Sequence, residues 1–222
     1  MFSPVRVVDL SLHALPDSPS DPPIAVITEA VRIITAGGVV ALPTDTLYGL
    51  AADPWSATAV ERLFQIKRRP ASNPISLLIS NREMLRAVVS EITPEAQRVM
   101  DAFWPGPLTL IFKGAALPDR LTAGTGTIAV RLPDSRFLVR LIEVVGGPIT
   151  ATSANRSGDA DLHSAQDVLS VLGDEVDLII DGGLRAGLPS TLVDVTGPVP
   201  TLIRPGAIPI SSLSPYLSRP SP

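Results

Sequence analysis

Cysteine is absent from the 222 residues. That excludes disulfides, thiolate metal sites and a cysteine nucleophile. Histidine occurs only at His13 and His163, so neither a histidine-ligated metal nor a Ser-His-Asp triad is expected. Aromatics make up 4% of the chain, few for a protein that holds single-stranded RNA by stacking. No run approaches the ~18 consecutive apolar residues of a membrane-crossing helix. Met1 to Pro23 lacks the basic-then-apolar order of a secretion signal. A soluble cytoplasmic protein with no membrane partner is the expectation. The formal net charge of -4 argues against a broad, sequence-independent nucleic-acid surface and leaves room for a local basic pocket. No G-x-x-x-x-G-K-[ST] loop exists, and the glycines at Gly182, Gly183 and Gly187 have the spacing of neither that loop nor a dinucleotide fingerprint.

What is present is a chain 45% hydrophobic, long enough to bury a full core. Val5–Leu10 reads as a first strand and Leu15–Pro23 as a loop rich in Pro, Ser and Asp. A helix runs from Pro23 to about Ala36 and stops at Gly37-Gly38. Val39–Leu42 is a short buried strand, followed by the hydroxyl-rich turn Pro43–Leu50. Ser56 caps a helix through Lys67, with Val60, Leu63 and Phe64 as its apolar stripe and Lys67 one turn further on the same side. Strands are expected at Ile75–Ser80, Leu108–Phe112, Thr127–Leu132, Pro148–Thr152, Val176–Ile180, Thr191–Val195 and Thr201–Ile203. Helices are expected at Glu83–Val89, Pro94–Phe103 (capped by Thr93), Ser135–Val145 and Ser164–Leu172. Gly114–Gly126 and Asn155–His163 read as loops. The alternation, with consecutive strands near the end, predicts an α/β protein. It should be one open domain over residues 1–210, a twisted mixed β-sheet with flanking helices, followed by a Pro/Ser-rich tail over 211–222.

The densest basic cluster is Lys67-Arg68-Arg69. It reads as a solvated helix end or, held near the next strand by Pro70 and Asn73-Pro74, as an anion site. Thr44, Asp45 and Thr46 leave a strand end, where turn chemistry and ligand binding both use such residues. Ser153 and Asn155 follow another strand with no histidine nearby in sequence, which favours hydrogen bonding over a covalent role. Thr127 and Arg131 lie four apart on one strand and so share a face. Arg131, between Val130 and Leu132, reads as an inward charge needing an anionic partner, either a structural carboxylate or a ligand.

The run Pro43-Thr-Asp-Thr-Leu-Tyr-Gly-Leu50, with Lys67–Pro70 and Asn73-Pro74 after it, resembles the YrdC-like family, the threonylcarbamoyl-AMP synthases. The likeness continues through Thr127–Pro133, Thr152–Asn155 with Ser157-Gly158, Pro189–Thr191 with Val193-Asp194, and Ile203–Gly206. It spans roughly residues 24–207. The resemblance implies a central cavity and a nucleotidyltransferase that joins L-threonine, bicarbonate and ATP, with Mg²⁺ on the phosphates. The product would pass to a tRNA-modifying threonylcarbamoyl transferase complex for N6-threonylcarbamoyladenosine, with direct tRNA binding weak or absent. Lys67 and Arg69 would be catalytic. They would bind nucleotide with Asn73, Thr127, Ser153, Asn155 and Arg204. Thr46, Arg131 and Ser190 would bind L-threonine. No protein side chain is assigned to metal. Asp161 departs from the family pattern, which commonly has a hydroxyl there; a carboxylate beside phosphates requires an intervening metal ion. A non-catalytic RNA-binding module and a carbamoyl-transfer domain are the alternative readings.

Overall fold

The computed structural model describes residues 5–10 and 22–217; His13, most of the expected 15–23 loop and residues 218–222 lie outside them. Among the described residues ten strands form one sheet: β1 (Arg6–Asp9), β2 (Val40–Pro43), β3 (Tyr48–Ala51), β4 (Ser76–Leu78), β5 (Leu108–Lys113), β6 (Thr127–Arg131), β7 (Ile149–Ser153), β8 (Leu178–Asp181), β9 (Thr191–Asp194) and β10 (Thr201–Arg204). Their order is β1-β8-β2-β3-β7-β4-β6-β5-β9-β10. Parallel and antiparallel pairs alternate irregularly, so the sheet is mixed as expected. The central strand β7 changes partner along its length. Residues 149–151 pair with β4, and Thr152 and Ser153 pair with β3.

The helices are α1 (Ile24–Thr35), α2 (Ala57–Lys67), α3 (Arg82–Val88), α4 (Pro94–Phe103), α5 (Asp119–Thr122), α6 (Arg136–Val145), α7 (Ala165–Leu172) and α8 (Ile210–Leu213). Several start where side chains can satisfy the orphan N–H groups of a first turn. Ser56, Asn81, Thr93 and Ser135 each accept such a bond. Ser164 and Asp167 form the expected capping box. On one sheet face Leu77, Leu108, Leu110, Phe112, Ile128 and Val130 pack with Leu63 and Phe64 of α2 and Val99 and Met100 of α4. On the other face α1 and α6 cover only the part carrying Val40, Leu42, Leu78, Ile149, Leu178 and Ile180. The uncovered remainder is where small and polar residues replace aliphatic ones. On β6 the alternation is explicit: Ile128 and Val130 enter the core, while Thr127, Ala129 and Arg131 line a cavity.

Three expectations need correction. Residues 48–51 are a strand, not the end of a turn. All four are buried, so they lack the alternation that marks a half-exposed strand. The expected loop at 114–126 contains the four-residue α5, begun by Pro118. The tail expected from residue 211 begins later, because Leu213 is buried and the Tyr216 ring meets Phe103 edge-on at 5.3 Å between centroids.

Candidate functional site

The open face forms a cavity of about 570 Å³. The residues that the family resemblance implies for ligand binding all line it except Lys67 and Asn155. Strand registers give their layout. Leu78 is opposite Arg131 in the parallel β4–β6 pair, and Leu77 opposite Val130. Stepping back along that register puts Asn73 and Pro74 level with Thr127. Arg69 binds there, its Nε donating to Asn73 O at 3.1 Å and its Nη2 to Pro74 O at 2.7 Å. Ser153 falls at the same level, since Ala151 pairs with Ser76 in the antiparallel β4–β7 ladder. Thr127 and Arg131 are four residues apart, so the two levels are ~13 Å apart at about 3.3 Å per strand residue.

At the second level Arg131 is 6% exposed. Its Nε donates to Gly106 O and its Nη1 to Thr46 Oγ1, each at 3.0 Å. Its Nη2 lies 2.5 Å from Asp45 Oδ2. That contact is an ion pair by distance but lacks hydrogen-bond geometry, so Nη2 and Asp45 Oδ1 are both buried without a hydrogen bond. Burial lowers the guanidinium's proton affinity and Asp45 opposes that. Thr44 organises the turn: its Oγ1 accepts from the N–H groups of Thr46 and Leu47, meets Thr46 Oγ1 at 2.9 Å and donates to Leu47 O. Ser190 Oγ and Thr109 Oγ1 share a hydrogen bond of 2.8 Å. Arg204 Nη2 donates to Ser190 O at 2.9 Å. Because Thr109 pairs with Leu192 and Leu192 with Arg204, Arg204 is level with Arg131 but three strands away, ~14 Å at about 4.8 Å per strand.

The Lys67-Arg68-Arg69 cluster divides at one residue. Arg68 adopts the left-handed conformation (φ 47°, ψ 41°) at the C-cap of α2, with Arg68 N donating to Gln65 O and Arg69 N to Phe64 O. The reversal leaves Arg68 exposed, turns Arg69 to the cavity and keeps Lys67 on the buried face. Lys67 is 1% exposed. Its Nζ donates to Ser153 O at 2.6 Å, Asn155 O at 2.7 Å and Asn155 Oδ1 at 3.1 Å. An ammonium has three N–H donors, and all three are engaged within the protein in this structure. Asn155, also buried, sits behind the wall rather than on it.

Sequence reasoning weighed Asp45 only as part of its turn, and it passed over Thr109 and Ser76. The last two alternate with core residues in Leu108–Lys113 and Ile75–Leu78, and that pattern could have found them. Among the described residues Asp161 is the only carboxylate on the cavity wall. Among the described residues no group of three or more His, Asp or Glu converges as a metal site, and no helix is long and apolar enough to cross a membrane.

A polar cavity on an open α/β sheet, lined by Arg69, Arg131 and Arg204 from separate parts of the sheet, has the chemistry of a binding site for small molecules that carry anionic groups. A family model described as "Telomere recombination", for the Sua5, YciO and YrdC proteins, matches residues 32–206. The chain belongs to that family. It is 41% identical to the threonylcarbamoyl-AMP synthase of Pyrococcus abyssi over 186 residues, 83% of this chain and 55% of that protein. The chain thus spans about half the length of the first curated relatives it matches. Its structure matches that of Pyrococcus abyssi Sua5 complexed with L-threonine at a TM-score of 0.86 and 36% identity, over 96% of this chain and 61% of that one. It matches E. coli YciO at 0.84 and 29%, over 94% and 98%.

Proposed function

We propose that this chain forms L-threonylcarbamoyl-AMP and pyrophosphate from L-threonine, bicarbonate and ATP. The observation that carries this reading is the convergence of Arg131, Arg69 and Arg204 on one polar cavity. Arg131 with Thr46 and Ser190 suits the carboxylate and hydroxyl of threonine. Arg69 and Arg204, each with guanidinium donors to spare, suit phosphates, with Asn73, Thr127 and Ser153 adding hydrogen bonds. The names of the relatives and the L-threonine bound to Pyrococcus abyssi Sua5 support the same assignment.

In the reaction the threonine amine and bicarbonate combine with loss of water to a carbamate. A carbamate oxygen then forms a bond to the α-phosphorus, and the bond to pyrophosphate breaks. The protein contributes placement, with threonine at the Arg131 end and the phosphates at the Arg69 end so that the carbamate oxygen meets the α-phosphorus between them, and cations where charge grows on phosphate oxygens. Lys67 and Asn155 adjoin Ser153 at the phosphate end of the cavity. The donor set fits Mg²⁺ that arrives on the triphosphate, with Asp161 the side chain that would hold it, and the ion would neutralise phosphate charge. Delivery to a cytoplasmic tRNA-modifying transferase complex goes with this reading. Pyrophosphate release from ATP, with L-threonine and bicarbonate each omitted in turn, tests it. Release should need both; equal release without threonine would overturn the assignment.

A further inference from the structure

We propose that Thr109 is a positioning residue that turns the Ser190 hydroxyl into a hydrogen-bond donor facing the cavity. Thr109 lies on β5 and is 6% exposed. Its Oγ1 is 2.8 Å from Ser190 Oγ, its one side-chain hydrogen bond among the described residues. Either hydroxyl could donate in that bond, and the surroundings decide which does. Thr109 is level with Leu192 on β9, whose side chain accepts nothing. On β6 it is level with Arg131, one step along the register from the Leu110–Val130 pair, and a guanidinium only donates. If Ser190 donated, the Thr109 proton would be buried without an acceptor, which is unfavourable. Thr109 therefore donates and Ser190 accepts. Ser190 keeps its own proton, and the cavity that both residues line is where that proton can go.

The backbone around Ser190 leaves little else to adjust. Thr191 N donates to Pro107 O at 3.0 Å, Ala207 N to Pro189 O at 2.9 Å and Arg204 Nη2 to Ser190 O at 2.9 Å. What remains free is one side-chain torsion and the hydroxyl proton, and the bond from Thr109 constrains both. A Ser190 that donates suits a carboxylate or hydroxyl oxygen of the bound amino acid and does not suit an ammonium. The substrate's amine is then not what Ser190 holds.

The link to L-threonine rests on the proposed synthase reading, whereas the positioning itself is read in the ligand-free protein. The Ser190 side-chain torsion is measured from the three-bond couplings of its β protons in wild type, Thr109→Val and Thr109→Ser. Wild type and Thr109→Ser should hold one rotamer. Thr109→Val, which keeps the branched shape and loses the hydroxyl, should average among rotamers. Calorimetric titration should then show L-threonine bound about three- to tenfold more weakly by Thr109→Val, with Thr109→Ser recovering most of the affinity. In steady-state rates the KM for L-threonine should rise more than the KM for ATP. Should Thr109→Val fail to fold, Thr109→Ala takes its place, and averaged Ser190 rotamers in wild type overturn the proposal in any case. So would a single Ser190 rotamer, or wild-type affinity for L-threonine, in the variant without the hydroxyl. If wild type bound no L-threonine while the rotamer results held, the synthase reading would fall and the positioning role would stand.

Discussion

Arg131 Nη2 lies 2.5 Å from Asp45 Oδ2, with both side chains nearly buried. Asp45 also accepts from Asp134 N at 3.3 Å, so the pair fastens the Thr44–Thr46 turn to the end of β6. Asp45 is not on the cavity wall. It acts by fixing the guanidinium and balancing its charge. Removing one partner of a buried pair leaves the other uncompensated, at about 3–5 kcal/mol. Asp45→Asn should therefore lower the melting temperature by ~10 °C, at about 2–4 °C per kcal/mol for a chain of this size. It should also weaken L-threonine binding. A thermal melt with calorimetric titration of L-threonine checks both; an unchanged melt would show that the pair is not a structural tie.

The division of the basic cluster at Arg68 predicts that neighbouring residues behave differently. Arg69→Ala should reduce pyrophosphate release by on the order of 10²–10³ with little change in melting temperature. Arg68→Ala should leave release near wild type. Arg68→Gly should stabilise the fold by about 1 kcal/mol, because a side chain in the left-handed region is strained. Steady-state rates and melts on the three variants decide this, and a damaging Arg68→Ala would move the phosphate site.

Gly206 sits where no side chain fits. A Cβ there would lie 2.5 Å from Ser190 C and Thr191 N, the backbone that presents Ser190 to the cavity. Gly206→Ala should cost about 1–3 kcal/mol and raise the KM for L-threonine through the displaced Ser190. Gly197→Ala is the control, since nothing lies within 4 Å of a Cβ there. Equal melting temperatures for the two variants would count against this account.

Lys67 also links stability to pH. Its folded value of about 7 lies below the ordinary 10.5. Between those values the unfolded chain binds more protons than the folded one, so this group makes stability rise with pH from about 7 to about 10.5. Below that window both states are protonated and the contribution is flat. Urea titrations of wild type and Lys67→Met across pH 6–10 (about the range in which the two states differ in protonation) should show the rise only in wild type.

Much of the fold was legible because local rules and tertiary demands agree. The caps at Ser56, Thr93, Ser135 and Ser164 and the alternation in Thr127–Arg131 each point to one structure. β3 was hidden because burial on both faces removes alternation. Gly49, whose Cβ would stand 3.3 Å from Thr152 O, reads locally as a turn residue. The sequence by itself determined the α/β class, the exclusion of thiol chemistry, and most of the hydroxyl and basic residues that line one cavity. Only the tertiary structure decided where each of them sits. Lys67, Arg68 and Arg69 are consecutive and chemically alike, and a single left-handed residue sends one into the core, one to solvent and one to the cavity. Asp45 looks like any turn aspartate until β6 brings Arg131 against it. Charge and hydrogen-bonding capacity belong to the residue, whereas burial and partners come from segments distant in sequence, and those decide which cation is buried, which is solvated and which lines the cavity.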